Sequence, residues 1–123
     1  MRITGICFGG TSTSHRREMT DFMTSVLGIP SVTVGGSDAD MFVFPDGTAF
    51  AVASAGGLGT DRSVGFLVDD LDEALDELRA HNVPTDRAPA SNDYGRYAHF
   101  VAPDERVYEL VERSPSWAAT SQR

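Results

Sequence analysis

Ser63-Val64-Gly65-Phe66-Leu67-Val68, followed by Asp69-Asp70-Leu71-Asp72-Glu73-Ala74-Leu75-Asp76-Glu77-Leu78, is the stretch that decides the fold. Its first six residues carry no charge and include β-branched and aromatic side chains, which favours a strand. Asp70-Leu71-Asp72-Glu73 then reads as a capping box, in which Asp70 caps a helix and Glu73 reaches back. Leu71, Ala74, Leu75 and Leu78 recur at helical spacing and form a buried stripe. His81-Asn82 ends the helix, and Pro84 forbids its continuation. A weak strand near 85–89 follows, then strands over Tyr97–Val101 and Arg106–Glu112. The unit is strand, helix, three strands.

The same unit is readable upstream. Phe44-Pro45-Asp46-Gly47 and Ala102-Pro103-Asp104-Glu105 carry one Pro-Asp turn at an offset of 58. Shifted by 58, Gly5-Ile6-Cys7-Phe8 falls on Ser63-Val64-Gly65-Phe66. Residues 3–8 suggest a strand. Met19, Phe22, Met23, Val26 and Leu27 mark an amphipathic helix over 15–27, with Gly28 and Pro30 as stop signals. Ile29-Pro30 matches Val83-Pro84 at an offset of 54, which puts an indel within or beside the helix. Ser31–Val34, Met41–Phe44 and Ala49–Ala53 are the three following strands. Gly47 suits the positive φ of a type I turn with a bulge. Glu105, in the matching place, would carry about 1 kcal/mol of backbone strain. The reading is therefore one domain over 1–113: a first module of about 3–54, a flexible linker at 55–61, and a second module of about 62–113. Residues 114–123 form a polar tail.

Composition narrows the function. The 123 residues carry a net charge of −8, and no basic cluster exceeds Arg16-Arg17. Nucleic acid and anionic membrane surfaces are poor partners for such a chain, whereas a cationic ligand would be attracted. All ten basic residues are arginine, which excludes Schiff-base lysine chemistry and a P-loop. No apolar run is long enough to span a membrane. A lone cysteine, Cys7, and the absence of a signal-peptide layout suit a reducing cytoplasm.

Ser63 to Leu71 resembles the opening of a vicinal-oxygen-chelate module, the repeat of the glyoxalase, bleomycin-resistance and ring-cleaving dioxygenase superfamily. Ala102-Pro103-Asp104-Glu105-Arg106-Val107-Tyr108-Glu109-Leu110 resembles its closing hairpin. The resemblance covers about 3–112 and implies an α+β fold: two tandem βαβββ modules forming a curved, cup-like mixed sheet with helices on its outer face. It also implies that Glu109 faces the concave side.

Strand alternation then puts Gly5, Cys7, Met41, Val43, Ala49, Ala51, Ala53, Ser63, Gly65, Leu67, Tyr97, His99, Val101, Val107 and Val111 on the same face. Ile6, Phe8, Phe42, Phe44, Phe50, Val64, Phe66, Phe100, Tyr108 and Leu110 fall under the helices as core. A three-residue turn at Pro103-Asp104-Glu105 would set His99 opposite Glu109. The small side chains of the concave face leave room for a ligand.

Enzymes of this superfamily usually hold a divalent metal with His and Glu from the first and last strands of each module. The matching positions are Gly5, Ala51, Ser63 and Glu109. Only Glu109 is a strong ligand. No metal and no other cofactor are therefore expected, and a hydrogen-bonded His99–Glu109 pair is preferred to a His99–Cys7–Glu109 metal site. Cys7 reads as a small buried residue rather than a nucleophile. Tyr94, Arg96 and Tyr97 are expected near the cavity mouth, and Trp117 over the groove or a dimer seam.

The expected ligand-binding set is Cys7, Ala51, Ser63, Tyr94, Arg96, Tyr97, His99 and Glu109. The favoured function is metal-free binding of a bulky cationic or aromatic small molecule, in the manner of bleomycin-resistance proteins that confer antibiotic resistance by sequestration. The alternative is an enzyme of the lyase, isomerase or dioxygenase kind, using a shifted metal site or Glu109 and His99 as acid and base. A homodimer is expected, because such curved sheets leave apolar surface uncovered.

Overall fold

A computed structural model describes residues 1–32, 34–35, 39–54 and 64–115. The elements run β1 (Ile3–Thr13), α1 (Arg16–Ser25), β2 (Ser31–Val32), β3 (Ala39–Val43) and β4 (Ala49–Ser54). The second half repeats them as β5 (Val64–Val68), α2 (Leu71–Ala80), β6 (Ala90–Asn92), β7 (Gly95–Val101) and β8 (Val107–Arg113). One eight-stranded sheet joins them in the order β2-β3-β4-β1-β5-β8-β7-β6. Within each module the first and last strands pair in parallel, β1 with β4 and β5 with β8. The two modules meet where β1 and β5 run antiparallel. The cup is thus completed within one chain. The expected linker at 55–61, Ser63, Trp117 and most of the polar tail lie outside the described residues.

Local chemistry accounts for these elements. Asp70 Oδ1 accepts the Glu73 N–H at 3.0 Å, as the capping box requires. Glu112 on β8 accepts the Leu71 N–H at 2.9 Å and so ties the same helix end to the sheet. The two hairpin turns are built alike. Gly47 N–H donates to Phe44 O, and Glu105 N–H donates to Ala102 O, both at 2.9 Å. Gly47 has φ 86° and Glu105 φ 67°, so the glutamate sits in the left-handed region that glycine occupies without strain. This turn sets the β7–β8 register, with Val101 opposite Val107 and His99 opposite Glu109.

The helices cover the outer face. Leu71, Ala74 and Leu75 of α2 pack on Val68, Ala98 and Leu110, flanked by Phe66 and Phe100. Met23 of α1 packs on Phe42 and Val52, with Met19, Ile29 and Phe50 alongside. Several expectations are corrected here. Helix α1 stops at Ser25, so Val26 and Leu27 are 68% and 52% exposed, and Phe22 on its flank is 46% exposed. The second strand of the second module lies at 90–92 rather than 85–89, where only Thr85 bridges to Phe100.

The β1 ladder shifts register between Ile6 and Phe8. This bulge turns Phe8 into the cup beside Cys7, the reverse of strict alternation, and Ile6 is 58% exposed rather than buried as core. Ala51 pairs with Gly10, while its hairpin counterpart Glu109 pairs with Gly65. The first strands therefore correspond at an offset of 55, not 58, and the helices Arg16–Ser25 and Leu71–Ala80 share that 55. The indel lies after the helix, and Phe8, not Gly5, is the counterpart of Ser63.

Candidate functional site

The concave face is unequally filled. On the second-module side Val107, Glu109 and Val111 alternate along β8, with Tyr97 and His99 facing them from β7. Their hairpin counterparts in the first module, at the offset of 58, are Ala49, Ala51 and Ala53, with Ala39 and Met41. Smaller side chains on the same backbone leave a hollow in the first-module half. Its enclosed space is about 70 Å³, a small hollow that continues through an open mouth into solvent. Phe8, Met41, Ala51, Tyr94, Tyr97 and Glu109 are among its walls. Gly65 is what lets the Phe8 ring lie there, because a Cβ at Gly65 would overlap that ring. Across the cup, Asp93 N–H in the β6–β7 turn donates to Gly35 O in the β2–β3 connection at 2.9 Å.

Glu109 is 8% exposed, and His99 is likewise 8%. His99 Nε2 lies 2.9 Å from Glu109 Oε1. Its Nδ1 lies 2.8 Å from Asp86 Oδ2, which also accepts the His99 backbone N–H at 2.8 Å. The Asp86 N–H donates back to His99 O at 3.2 Å. Asp86 therefore fixes the imidazole with Nδ1–H toward itself and presents Nε2 to Glu109. Burial pulls the His99 pKa down. The hydrogen bonds and charges of Glu109 and Asp86 outweigh it and hold the imidazolium above its ordinary range. The array is a carboxylate, an imidazole and a carboxylate, with one exchangeable proton between Nε2 and Oε1.

The other expected site residues are placed as follows. Ala51 and Tyr97 line the hollow. Tyr94 also lines it, but as a wall residue 6% exposed rather than at the mouth. Cys7 is wholly buried below the cup, its thiol donating to Gly65 O at 3.3 Å. Burial, then the charge of Glu109, pushes that thiol up to about 12, so it is protonated and inert as a nucleophile. Arg96 is on the opposite face, where it holds Asp72 of α2 at 2.9 Å and takes no part in the hollow. Its place follows from alternation: it neighbours the concave Tyr97 in the strand. Two residues not expected at the site matter. Asp86 carried no signal, because it acts from an irregular segment. Phe8 was hidden by the bulge.

The residues do not fit a divalent metal. Phe8 and Ala51 offer no donor at two of the superfamily's four positions, and Ser63 lies outside the described residues. Both nitrogens of His99 are engaged by carboxylates, and the Cys7 thiol keeps its proton. Among the described residues no three His, Cys, Asp or Glu side chains are grouped to hold a metal ion. Elemental analysis of the purified protein should accordingly find no stoichiometric Zn, Ni, Mn or Fe. About one metal per chain, lost on Glu109→Ala, would overturn this.

No family model matches this chain, and no curated protein matches it. Solved structures do. Methylmalonyl-CoA epimerase from Mycobacterium tuberculosis has a TM-score of 0.72 at 18% identity, over 95% of this chain and 93% of that one. A Streptomyces coelicolor methylmalonyl-CoA epimerase variant, in complex with 2-nitronate-propionyl-CoA, has a TM-score of 0.69 at 16% identity, covering 92% and 99%. A catechol 2,3-dioxygenase has a TM-score of 0.62 at 18% identity, over 92% of this chain and 42% of that one. The edge-to-edge βαβββ pair with a concave site is the vicinal-oxygen-chelate fold, and this chain has it. At such identities the likeness is one of fold.

Proposed function

We propose that this protein is a metal-free small-molecule-binding protein that holds a bulky cationic or aromatic ligand in the first-module half of its cup. The observation that carries the reading is Glu109. It is a buried carboxylate in a largely apolar wall, with one oxygen on His99 and, among the described residues, no hydrogen bond to the other. A buried charge left half-satisfied is costly unless a ligand completes it. The net charge of −8 favours a cation in the same place. The buried lone cysteine suits the cytoplasm.

Native mass spectrometry of freshly purified protein tests this by reporting retained ligand, metal and assembly together. Glu109→Gln keeps the shape and should weaken a retained cationic ligand by about 1.5–3 kcal/mol, the scale of a charge-assisted hydrogen bond. Ala51→Phe should exclude the ligand by bulk. If both variants bind as tightly as the parent, the ligand lies elsewhere.

A second reading rests on the Asp86–His99–Glu109 array, whose geometry suits general acid–base chemistry with Glu109 and His99 as the catalytic pair. Turnover of the retained ligand, lost in Glu109→Gln, would favour it over sequestration.

The same reading includes a homodimer. Ile3 and Ile6 of β1 are 47% and 58% exposed, and Phe22, Val26 and Leu27 leave further apolar surface around α1. Burying such surface between two copies is favourable. Light scattering at micromolar concentration should give twice the chain mass of 13.2 kDa, and a monomeric mass would contradict it.

A further inference from the structure

We propose that the hollow is an aromatic cage for an alkylated ammonium group, with Phe8, Tyr94 and Tyr97 supplying the rings and Glu109 the counter-charge. This rests on the reading that the cup binds a cation, and it names the kind of cation. All four side chains line one hollow. Three rings beside one buried carboxylate form an environment in which ring quadrupoles and a nearby anion act on the same charge.

The hydrogen-bonding inventory separates the possible cations. A primary ammonium brings three donors and a guanidinium five, and each must find an acceptor once desolvated. The walls are short of acceptors. Asn92 Oδ1 already takes the N–H groups of Tyr94 and Gly95 at 2.8 and 3.1 Å. The Tyr94 hydroxyl takes Arg113 Nη2 at 3.2 Å. Glu109 Oε1 is held by His99. What remains is the second Glu109 oxygen with the hydroxyls of Thr11 and Ser12, the Ser12 Oγ being buried with no hydrogen-bond partner among the described residues. A trialkyl- or tetraalkylammonium has at most one donor, and its positive charge is spread over methyl groups that rings accommodate. Ala39, Ala51, Ala53 and Met41 then give apolar room for the rest of the molecule. Arg113 lies 5.5 Å from the Tyr94 ring centroid and is not among the residues that line the hollow.

Calorimetry with three probes of one shape class tests the cage: benzyltrimethylammonium, benzylammonium, and neopentylbenzene as the uncharged carbon analogue. Benzyltrimethylammonium should bind about tenfold tighter than either of the others. Tyr97→Leu and Phe8→Leu should each reduce its advantage over neopentylbenzene by roughly three- to tenfold, while neopentylbenzene binding changes less than about twofold. Tyr97 is half-buried at the wall, so that variant keeps the test alive if Phe8→Leu disturbs folding. Benzylammonium binding tightest would overturn the cage and leave the cation-binding reading standing. Neopentylbenzene binding tightest would overturn both. Failure of all three to bind at millimolar concentration would overturn the cage.

Discussion

His99→Ala should lower the unfolding free energy by about 3–5 kcal/mol near pH 6.5, measured by urea denaturation. The imidazole separates two carboxylates, and their side chains are 11% and 22% exposed. Without it Glu109 and Asp86 lose their shared cation, and the backbone N–H of residue 99 is the only donor left to Asp86 among the described contacts. The loss should depend on pH in a definite direction. The His99 pKa is raised in the folded state above its ordinary value of 6.5. The folded chain therefore holds more protons than the unfolded chain in the window that opens at about 6.5. Stability from the imidazolium is fully present below 6.5 and is lost as pH rises through the raised folded value. The gap between parent and His99→Ala should accordingly narrow at alkaline pH. A gap that stays constant from about pH 6 to pH 9 would show that the imidazolium is not its source. Asp86→Asn should move the His99 titration, followed by NMR, toward lower pH, because it removes one of the two charges that raise it.

Phe42→Ala should cost about 3–5 kcal/mol, the usual range for a fully buried aromatic ring. Phe42 has no exposed surface and packs with Met23 and Val52 beneath α1. Phe22→Ala, in the helix itself, should cost less than about 1 kcal/mol, because Phe22 remains 46% exposed. The contrast checks where the first-module core lies. Equal losses would mean that Phe22 is covered, and dimerisation through this face would be the first explanation to examine.

That contrast also marks what a sequence of this kind discloses. Periodicity made the second module plain, since Leu71, Ala74 and Leu75 carry both the helix and its buried face. The Pro-Asp turns fixed two hairpins and, through residue 105, the meeting of His99 with Glu109. The first module was harder because its helix has no side-chain cap and its apolar residues outnumber the positions it buries. Bulges leave no mark in residue type, so the inward turn of Phe8 was invisible, and with it the true counterpart of Ser63. Asp86 reaches His99 across 13 residues of chain from outside any strand, which no local pattern encodes. Arg96 differs from these. Its exclusion from the cup follows from alternation with Tyr97, and the sequence alone could have supplied it.

The contact between Gly35 and Asp93 ties the connections beside β2 and β6, the two edges of the sheet, across the open side of the cup. At about 4.8 Å per inter-strand step, the seven steps of the sheet run roughly 34 Å along its curve. A curve of set length tied at its ends cannot widen at one place without narrowing at another. The hollow of the first half and the dense packing of the second therefore share one perimeter. A larger residue at Val111, opposite Tyr97 on the concave face, should shrink the space available beside Ala51. Specificity in this cup can therefore be tuned from the second module as well as from the first.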